Sequence, residues 1–219
     1  MADRTVLDHT VRKAILIDVG GVLLRDRLPA VTEAWSARLG VSGRAFLAAL
    51  FGGSDDQVLT GRVSEDQWWA VVAGRLHAGP DLVVELRRDL ASGQDWDRAL
   101  VAFLRGLRGE AKTAIVSNAW PAMRVAMARA GVLDVVDEIV LSCEIGYAKP
   151  DARIYAAALD RLAAEPASTL FVDDTAGHVA AAEALGLAGH LHTSSSGTIA
   201  RIGEFLRSDR DASHPGQAG

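Results

Sequence analysis

The 219-residue sequence predicts an α/β fold in which helices flank an open parallel sheet, with a small α-helical insert. Several short runs rich in valine, isoleucine or leucine have the pattern of buried strands. Helical patterns lie between most of these runs, and strands that alternate with helices favour a parallel sheet. The region 26–92 interrupts the alternation because every pattern in it is helical, so we interpret it as an insert.

The predicted strands are short and apolar on both faces, as expected for a parallel sheet that helices cover on both sides. Each strand is therefore expected to lie in the core. In chain order the strands are AILID (14–18), KTAIVSN (112–118), EIVLS (138–142), TLFVDD (169–174) and AGHLHT (188–193).

The helices predicted between the strands show apolar spacing or end signals. After the insert, Ala99, Phe103 and Leu107 recur at helical spacing. The segment 121–131 begins with a proline and ends with a glycine, which is the usual asymmetry of a helix.

The region 26–92 contains four amphipathic helical patterns with capping or stop residues at their ends. These residues are Ser42, Ser64 and Asp81 before a helix, and Gly40 and Gly52 after one. We expect a core domain formed by 13–25 and 93–207, a helical domain at 26–92, and flexible termini at 1–12 and 208–219.

Charge and composition disfavour several classes of partner. The formal net charge is −5, which gives no electrostatic reason to expect nucleic acid or an anionic membrane. The single cysteine allows neither an internal disulfide nor a cysteine-rich metal site. The first twelve residues lack the apolar core of a signal peptide, and no apolar run reaches membrane-spanning length. We expect a cytoplasmic protein; the oligomeric state is not readable from the sequence.

Polar residues end or follow four of the predicted strands. In an open parallel sheet, ligands bind outside the carboxyl ends of the strands, so these residues can converge although they are far apart in sequence. Each alone is also common in a turn or as a helix cap, but their joint occurrence in this order favours one site. The residues are Asp18, Ser117, Asn118, Lys149, Asp173 and Asp174.

These residue types suit phosphoryl transfer. The carboxylate of Asp18 can attack phosphorus and form an aspartyl-phosphate. A phosphate dianion repels an anionic nucleophile, so cations must offset its charge, and Lys149 supplies one of them. Mg²⁺ can supply the other, with oxygen ligands from Asp18 and Asp174 and a further contribution from Asp173.

The remaining residues at the carboxyl ends of the strands can bind the phosphoryl group that is transferred. Ser117 and a backbone N–H near Asn118 can donate hydrogen bonds to it. The carbonyl of Gly20 can add a metal ligand, and Gly20 and Gly21 allow a tight turn that brings backbone N–H groups close to a phosphate. Trp120 lies at the same rim, where both substrate contact and packing remain open.

The order of four motifs over about 13–193 resembles the haloacid dehalogenase-like (HAD) hydrolase superfamily: DVGGVLL, IVSNAW, AKPD with RIYAAAL, and FVDDTAGHVAAAEALG. The resemblance implies a Rossmann-like sheet and identifies the helical insert as a small cap that closes over the site. It also implies a phosphatase of small phosphorylated metabolites that depends on Mg²⁺. The implied roles are nucleophile for Asp18, phosphoryl contacts for Ser117 and Asn118, charge stabilisation for Lys149, and Mg²⁺ binding for Asp173 and Asp174.

One position departs from the usual phosphatase pattern of the family. Those phosphatases carry a second Asp two residues after the nucleophile, where it protonates the leaving oxygen, and here that position is Gly20. An acid in this place contributes about 10²–10⁴-fold to the rate. The alternative is therefore a catalytically weak or inactive relative with a binding or regulatory role.

Two other readings fit the motifs less well. The dehalogenase branch of the family also lacks the second acid, but it needs no metal and typically lacks the acidic pair, so Asp173 and Asp174 argue against carbon–halogen cleavage. A phospho-receiver domain is much shorter and has its acidic pair near the N-terminus.

Five further residues are assigned to structure rather than chemistry. Trp35, Trp68 and Trp69 are expected to pack inside the insert. Cys143 is expected to be a small buried residue, and His178 to have a surface or capping role.

Overall fold

The structure, a computed structural model, describes residues 12–25, 27–52, 55–92 and 94–208. Within these ranges, five parallel strands form one sheet in the order β3-β2-β1-β4-β5. The strands are β1 (Ala14–Ile17), β2 (Lys112–Ser117), β3 (Glu138–Leu141), β4 (Thr169–Asp173) and β5 (Ala188–Leu191). The predicted fold class and all five strands are confirmed. The termini predicted to be flexible lie almost entirely outside the described residues.

The central strand β1 sets the position of the site. It pairs with β2 and β4, and Ile17 is level with Ile115 and Val172. The amide of Asp18 continues this pattern, because it donates to the carbonyl of Val172 over 2.9 Å. The carboxyl ends of β1, β2 and β4 therefore meet at one edge of the sheet, with Asp18 at its centre.

Helices cover both faces of the sheet, because successive residues of β1 point to opposite sides. Ile15 and Ile17 face one apolar cluster, and Leu16 faces the other. The first cluster packs under α6 (Arg98–Gly106), α7 (Ala122–Ala130) and α11 (Ser195–Arg207), and the second under α9 (Ala152–Leu162) and α10 (Ala176–Glu183).

The buried stripe of α6 differs from the prediction. Leu100 and Leu104 are fully buried, whereas Ala99 is exposed and Phe103 is only partly buried. The two leucines remove more apolar surface from water than an alanine can, so they determine which side of the helix faces the sheet.

The region between β1 and β2 folds as helices around its own apolar cluster. The predicted burial of Trp35, Trp68 and Trp69 is confirmed, with at most 3% of each exposed. The helices are α1 (Leu28–Leu39), α2 (Gly43–Phe51), α3 (Asp55–Leu59), α4 (Glu65–Leu76) and α5 (Pro80–Ala91). We call these five helices the helical insert.

Most of the predicted helix ends in the insert are confirmed. Ser42 accepts from the third amide after it, Ser64 forms a reciprocal capping box with Gln67, and Gly40 is left-handed after α1. Asp81 was wrongly predicted as a cap. Helix α5 starts at Pro80 with Gly79 as its N-cap, two residues earlier than a cap at Asp81 implies, because Pro80 occupies its first turn, where a missing N–H costs nothing.

Two short helices were not predicted, since each is too brief for a periodic pattern. They are α3 in the insert and α8 (Ser142–Ile145) directly after β3. The start of α8 also shortens the predicted strand 138–142 by one residue. Among the described helices, none combines the length and apolarity needed to cross a bilayer.

Candidate active site

An ammonium lies between two carboxylates at the carboxyl edge of the sheet. Lys149 Nζ is 2.8 Å from Asp18 Oδ1 and 2.6 Å from Asp173 Oδ2. Asp18 directly follows β1, and Asp173 ends β4. The side chains of Lys149 and Asp173 are at most 1% exposed and that of Asp18 is 10% exposed. Charges buried this deeply require close partners, and the three groups supply them to one another.

Asn118 fixes the main chain of Lys149. Its Nδ2 donates to the Lys149 carbonyl over 2.9 Å, and its Oδ1 accepts from the Lys149 amide over 2.7 Å. Both polar ends of the Asn118 side chain are thereby engaged. The expectation that Asn118 touches a phosphoryl group can therefore apply only to its main chain, and its side chain positions Lys149.

The loop after β2 is tied down by a residue that the sequence did not single out. Ser117 ends β2 and is 2% exposed, so it lies buried at the carboxyl edge of the sheet. Two positions later, the amide of Ala119 donates to the hydroxyl of Ser142 over 3.0 Å. Ser142 is fully buried at the start of α8, so it holds this loop from the neighbouring strand. A serine at the end of the predicted strand 138–142 was the available signal.

Three carboxylates form a candidate cation site. Asp18, Asp173 and Asp174 each offer an oxygen, and these oxygens lie within 4.8 Å of one another. Asp18 Oδ1 is buried and accepts no hydrogen bond from the described residues, although Lys149 Nζ lies at ion-pair distance. A buried carboxylate oxygen without a hydrogen-bond donor is compatible with a cation ligand. The hard, anionic donor set fits Mg²⁺.

The absence of a side chain at Gly21 leaves space for the carboxylate of Asp174. Gly21 has φ +70°, and a Cβ placed there would lie 1.9 Å from Asp174 Oδ2. Its amide donates to the carbonyl of Leu24 over 2.9 Å, within the turn. The N–H of Gly21 is therefore used inside the tight turn, and the expectation that the turn brings other backbone N–H groups close to a phosphate stays a prediction.

Gly20 differs from Gly21 in its backbone conformation and in the space around its Cβ position. It is exposed, its φ lies outside the left-handed region, and a Cβ built on it meets no atom within 4 Å. Nothing in the backbone or the surroundings therefore requires glycine at this position.

The two buried carboxyls have opposite pKa shifts. Burial is the largest influence on Asp18 and raises its pKa; Asp173 adds to the rise, and Lys149 opposes it. Burial also opposes ionisation of Asp173, but hydrogen bonds from His178 and Lys149, together with the charge of Lys149, lower the pKa of Asp173. Asp173 is therefore the ionised partner of Lys149.

His178 contacts the site, so the predicted surface or capping role is wrong. Its Nδ1 lies 3.1 and 3.2 Å from the two oxygens of Asp173, and its ring is 20% exposed. Its carbonyl accepts from the Tyr155 hydroxyl over 2.9 Å. The amide of Thr175 also donates to Asp173, over 2.8 Å. The first turn of α10 thus holds the Asp173 carboxylate.

Trp120 packs on the helical insert and lines a cavity. Its ring lies edge to face against Trp69, with centroids 5.5 Å apart, and 6.3 Å from the ring of Phe51. It also lines a cavity of about 600 Å³. Cys143, in contrast, is partly rather than fully buried, and burial raises the pKa of its thiol.

Known proteins are similar to this chain in sequence and in fold. The profile of the haloacid dehalogenase-like hydrolases matches residues 12–186. Bifunctional epoxide hydrolase 2 of Sus scrofa is 30% identical over 200 residues, which cover 80% of this chain. A pyrimidine 5′-nucleotidase of Escherichia coli (strain K12) is 38% identical over 78 residues, which cover 35% of this chain. The matches span 35% of the length of each of these curated relatives.

A solved structure shows the same architecture. A HAD family enzyme of Bacteroides thetaiotaomicron, in complex with magnesium and inorganic phosphate, superposes with a TM-score of 0.68 at 19% identity. The match covers 83% of this chain and 94% of that enzyme. This likeness establishes the fold, and the family profile extends over most of the sequence, including the residues of the candidate site. The chain therefore belongs to the haloacid dehalogenase-like hydrolases.

Proposed function

We propose that the protein is a Mg²⁺-dependent phosphatase of small phosphate monoesters, with Asp18 as the nucleophile. One observation carries this proposal: a buried carboxylate at the centre of the sheet edge shares an ammonium with Asp173 and lies within reach of Asp174. The complex of the Bacteroides enzyme with magnesium and phosphate supports the same chemistry by analogy.

The reaction has two displacements at phosphorus. An oxygen of Asp18 attacks the phosphorus, and the bond from phosphorus to the ester oxygen breaks, so this oxygen leaves with the electron pair as an alkoxide or aryloxide and takes a proton from water. Water then attacks the phosphorus of the aspartyl-phosphate, releases inorganic phosphate and regenerates the Asp18 carboxylate. Ser117 and the main-chain amide of Asn118 donate hydrogen bonds to the phosphoryl oxygens, and Lys149 offsets their charge.

The acidic residues would hold the cation. Asp18 and Asp174 would be its direct ligands, with Asp173 and the carbonyl of Gly20 offering further oxygens. When bound, Mg²⁺ offsets the negative charge on the phosphoryl group. Lys149 is anchored by Asp173, which keeps its ammonium close to Asp18.

The helical insert acts as the cap. It contacts the core through Trp120 and through Glu65, whose Oε2 accepts from the amide of Ala122 over 3.1 Å. Closure over the site excludes water and selects the alcohol part of the substrate. The division into a core domain (13–25 and 93–207) and a cap (26–92) is part of this proposal.

Hydrolysis of 4-nitrophenyl phosphate tests the proposal. We expect turnover that requires Mg²⁺ and is abolished in Asp18→Asn, because an amide cannot form the acyl-phosphate. Asp160→Asn, on the exposed side of α9, makes the same chemical change away from the site and should retain wild-type activity. Wild-type activity in Asp18→Asn would overturn the mechanism.

Gly20 favours a second candidate, a protein with a binding or regulatory role and little turnover. Without a carboxyl at this position, no acid stands two residues after Asp18 to protonate a leaving alcohol. Binding of beryllofluoride to Asp18 with Mg²⁺, together with no hydrolysis of any activated ester, would favour this candidate over the phosphatase.

A further inference from the structure

Two cavities meet between the helical insert and the core. The first, about 300 Å³, is lined by Gly20, Gly21 and Asp174, and it opens at the candidate active site. The second, about 600 Å³, lies beside Trp120. The two cavities are adjacent, because three residues line both, so we expect a long group attached to a phosphate at Asp18 to reach from the first cavity towards the second. These shared residues are Phe51, Leu90 and Gln94.

Aromatic rings form one wall of the second cavity. Trp120 stands edge to face against Trp69, with an interplanar angle of 89°, and Phe51 lies beside Trp120. Met123 and Val125 on α7 provide further apolar walls. Walls of this kind bind flat apolar groups through ring contacts and burial.

The charged side chains that line this cavity are paired or exposed. Arg87 lies 3.4 Å from Glu65 and 2.8 Å from Asp66. The second oxygen of Glu65 accepts from the Ala122 amide. Arg129 is exposed. An occupant therefore needs no charge of its own.

Gly20 also restricts which leaving groups the site can release. The leaving oxygen receives no proton from a carboxyl at this position, so the rate depends on how well the oxygen leaves as an anion. Phenols are more acidic than alkyl alcohols and leave more readily. An aromatic alcohol therefore fits both observations: its ring can pack against the walls of the cavity, and its oxygen can leave without a proton from residue 20.

We propose that the substrates are phosphate monoesters of uncharged aryl alcohols with more than one ring, and that the outer ring occupies the second cavity. This inference rests on the proposed phosphatase function, since it identifies the leaving group at the same site. Trp120 is the residue that selects the outer ring.

The test compares two aryl esters whose phenols have similar acidity but different size, together with an apolar alkyl ester. With the full chain and Mg²⁺, kcat/KM is measured for phenyl phosphate, 4-biphenylyl phosphate and dodecyl phosphate. We expect the second ring to raise kcat/KM about tenfold, through added contact with aromatic walls. Trp120→Ala should abolish most of this preference, and Ala126→Phe, which fills the cavity from α7, should do the same. Leu133→Ala, at an exposed position outside the cavity, is the control and should leave the preference unchanged.

A second readout requires no turnover. Binding of 4-phenylphenol is measured by titration calorimetry with wild type, Asp18→Asn and Ala126→Phe. We expect saturable binding to the first two proteins and loss in Ala126→Phe.

The outcomes separate this inference from the proposed function. Hydrolysis through Asp18 without preference for a second ring, or with preference for dodecyl phosphate, overturns the aryl assignment and leaves the phosphatase standing. If no ester is hydrolysed, the phosphatase proposal fails and the calorimetry decides: binding that Ala126→Phe removes supports the aryl cavity, and absence of binding overturns it.

Discussion

A Cβ on Gly21 would lie 1.9 Å from Oδ2 of Asp174, so the position of this carboxylate depends on the absence of a side chain at residue 21. Contacts this close do not occur between real atoms. The glycine of the turn after β1 and the acid after β4 therefore act as one unit, although 153 positions separate them in the sequence.

The first prediction concerns Gly21→Ala. The methyl group would push Asp174 away from Asp18, and we expect the affinity for Mg²⁺ to fall about tenfold or more, as for other changes that displace a metal ligand. Gly40→Ala is the matched control, because Gly40 has φ +67° with nothing within 4 Å of its Cβ. Calorimetric titration with Mg²⁺ should separate the two variants. Equal losses of affinity would mean that backbone strain, rather than Asp174, causes the effect.

The second prediction concerns Lys149→Met. It leaves the buried carboxylates of Asp18 and Asp173 without their shared ammonium, so we expect the free energy of unfolding to fall by about 3–5 kcal/mol. Adding Asp173→Asn should recover part of this loss, because one of the two uncompensated charges is then removed. Urea unfolding of the metal-free proteins measures both. No recovery in the double variant would contradict the pairing.

The third prediction links the nucleophile to stability. Burial raises the pKa of Asp18 above its usual value of 3.8, so the folded state favours the protonated form. Stability is therefore lost as the pH rises from the unfolded pKa through the folded pKa. Asn is neutral throughout, so metal-free Asp18→Asn should be more stable than wild type at pH 7.

Unfolding curves with a chelator, recorded between pH 3 and pH 8, test whether Asp18→Asn is more stable than wild type. The advantage of Asp18→Asn should shrink towards acid pH, where both states of the wild type are protonated. Added Mg²⁺ should stabilise the wild type more than the variant. A variant that is less stable than wild type at pH 7 would contradict the raised pKa.

The fourth prediction concerns Gly20→Asp. The position has an unstrained φ and open space around a Cβ, so the new carboxyl can be accommodated. It should supply the missing acid and raise kcat/KM for alkyl phosphates by at most about 10²-fold, with little gain for aryl phosphates. Gly20→Asn is the matched control and should give no such gain. A shallow dependence of wild-type rates on leaving-group pKa would show that another residue already supplies the proton.

The sheet and the charged residues of the site could be predicted from the sequence, because both depend on short segments: apolar strands and the polar residues at their ends. Strands β1 and β4 are apolar on both faces, and parallel strands bring their carboxyl ends to one edge, which is sufficient to place Asp18 beside Asp173. The helical insert was equally readable, since Ser42 and Ser64 cap its helices as their patterns indicate.

The supporting contacts could not be read in the same way, because they depend on the conformation of loops. Asn118 and Lys149 are 31 positions apart, and only the turns after β2 and β3 bring the amide to the lysine backbone. His178 reaches Asp173 because α10 starts with a particular geometry, which residue types alone do not specify. The hydrogen bond from the N–H of Gly21 to the carbonyl of Leu24 likewise depends on the conformation of a loop, so the sequence did not predict it.

The most direct test of the proposed mechanism is to find the phosphoryl group on Asp18. The enzyme is mixed with an aryl phosphate and Mg²⁺, quenched in acid within one turnover, and mapped by peptide mass spectrometry. We predict a hydroxylamine-sensitive phosphoryl adduct on the peptide that contains Asp18, absent without Mg²⁺ and absent in Asp18→Asn. Turnover of the ester with the adduct on another residue, or with no adduct at any quench time, would contradict the assignment of Asp18 as the nucleophile.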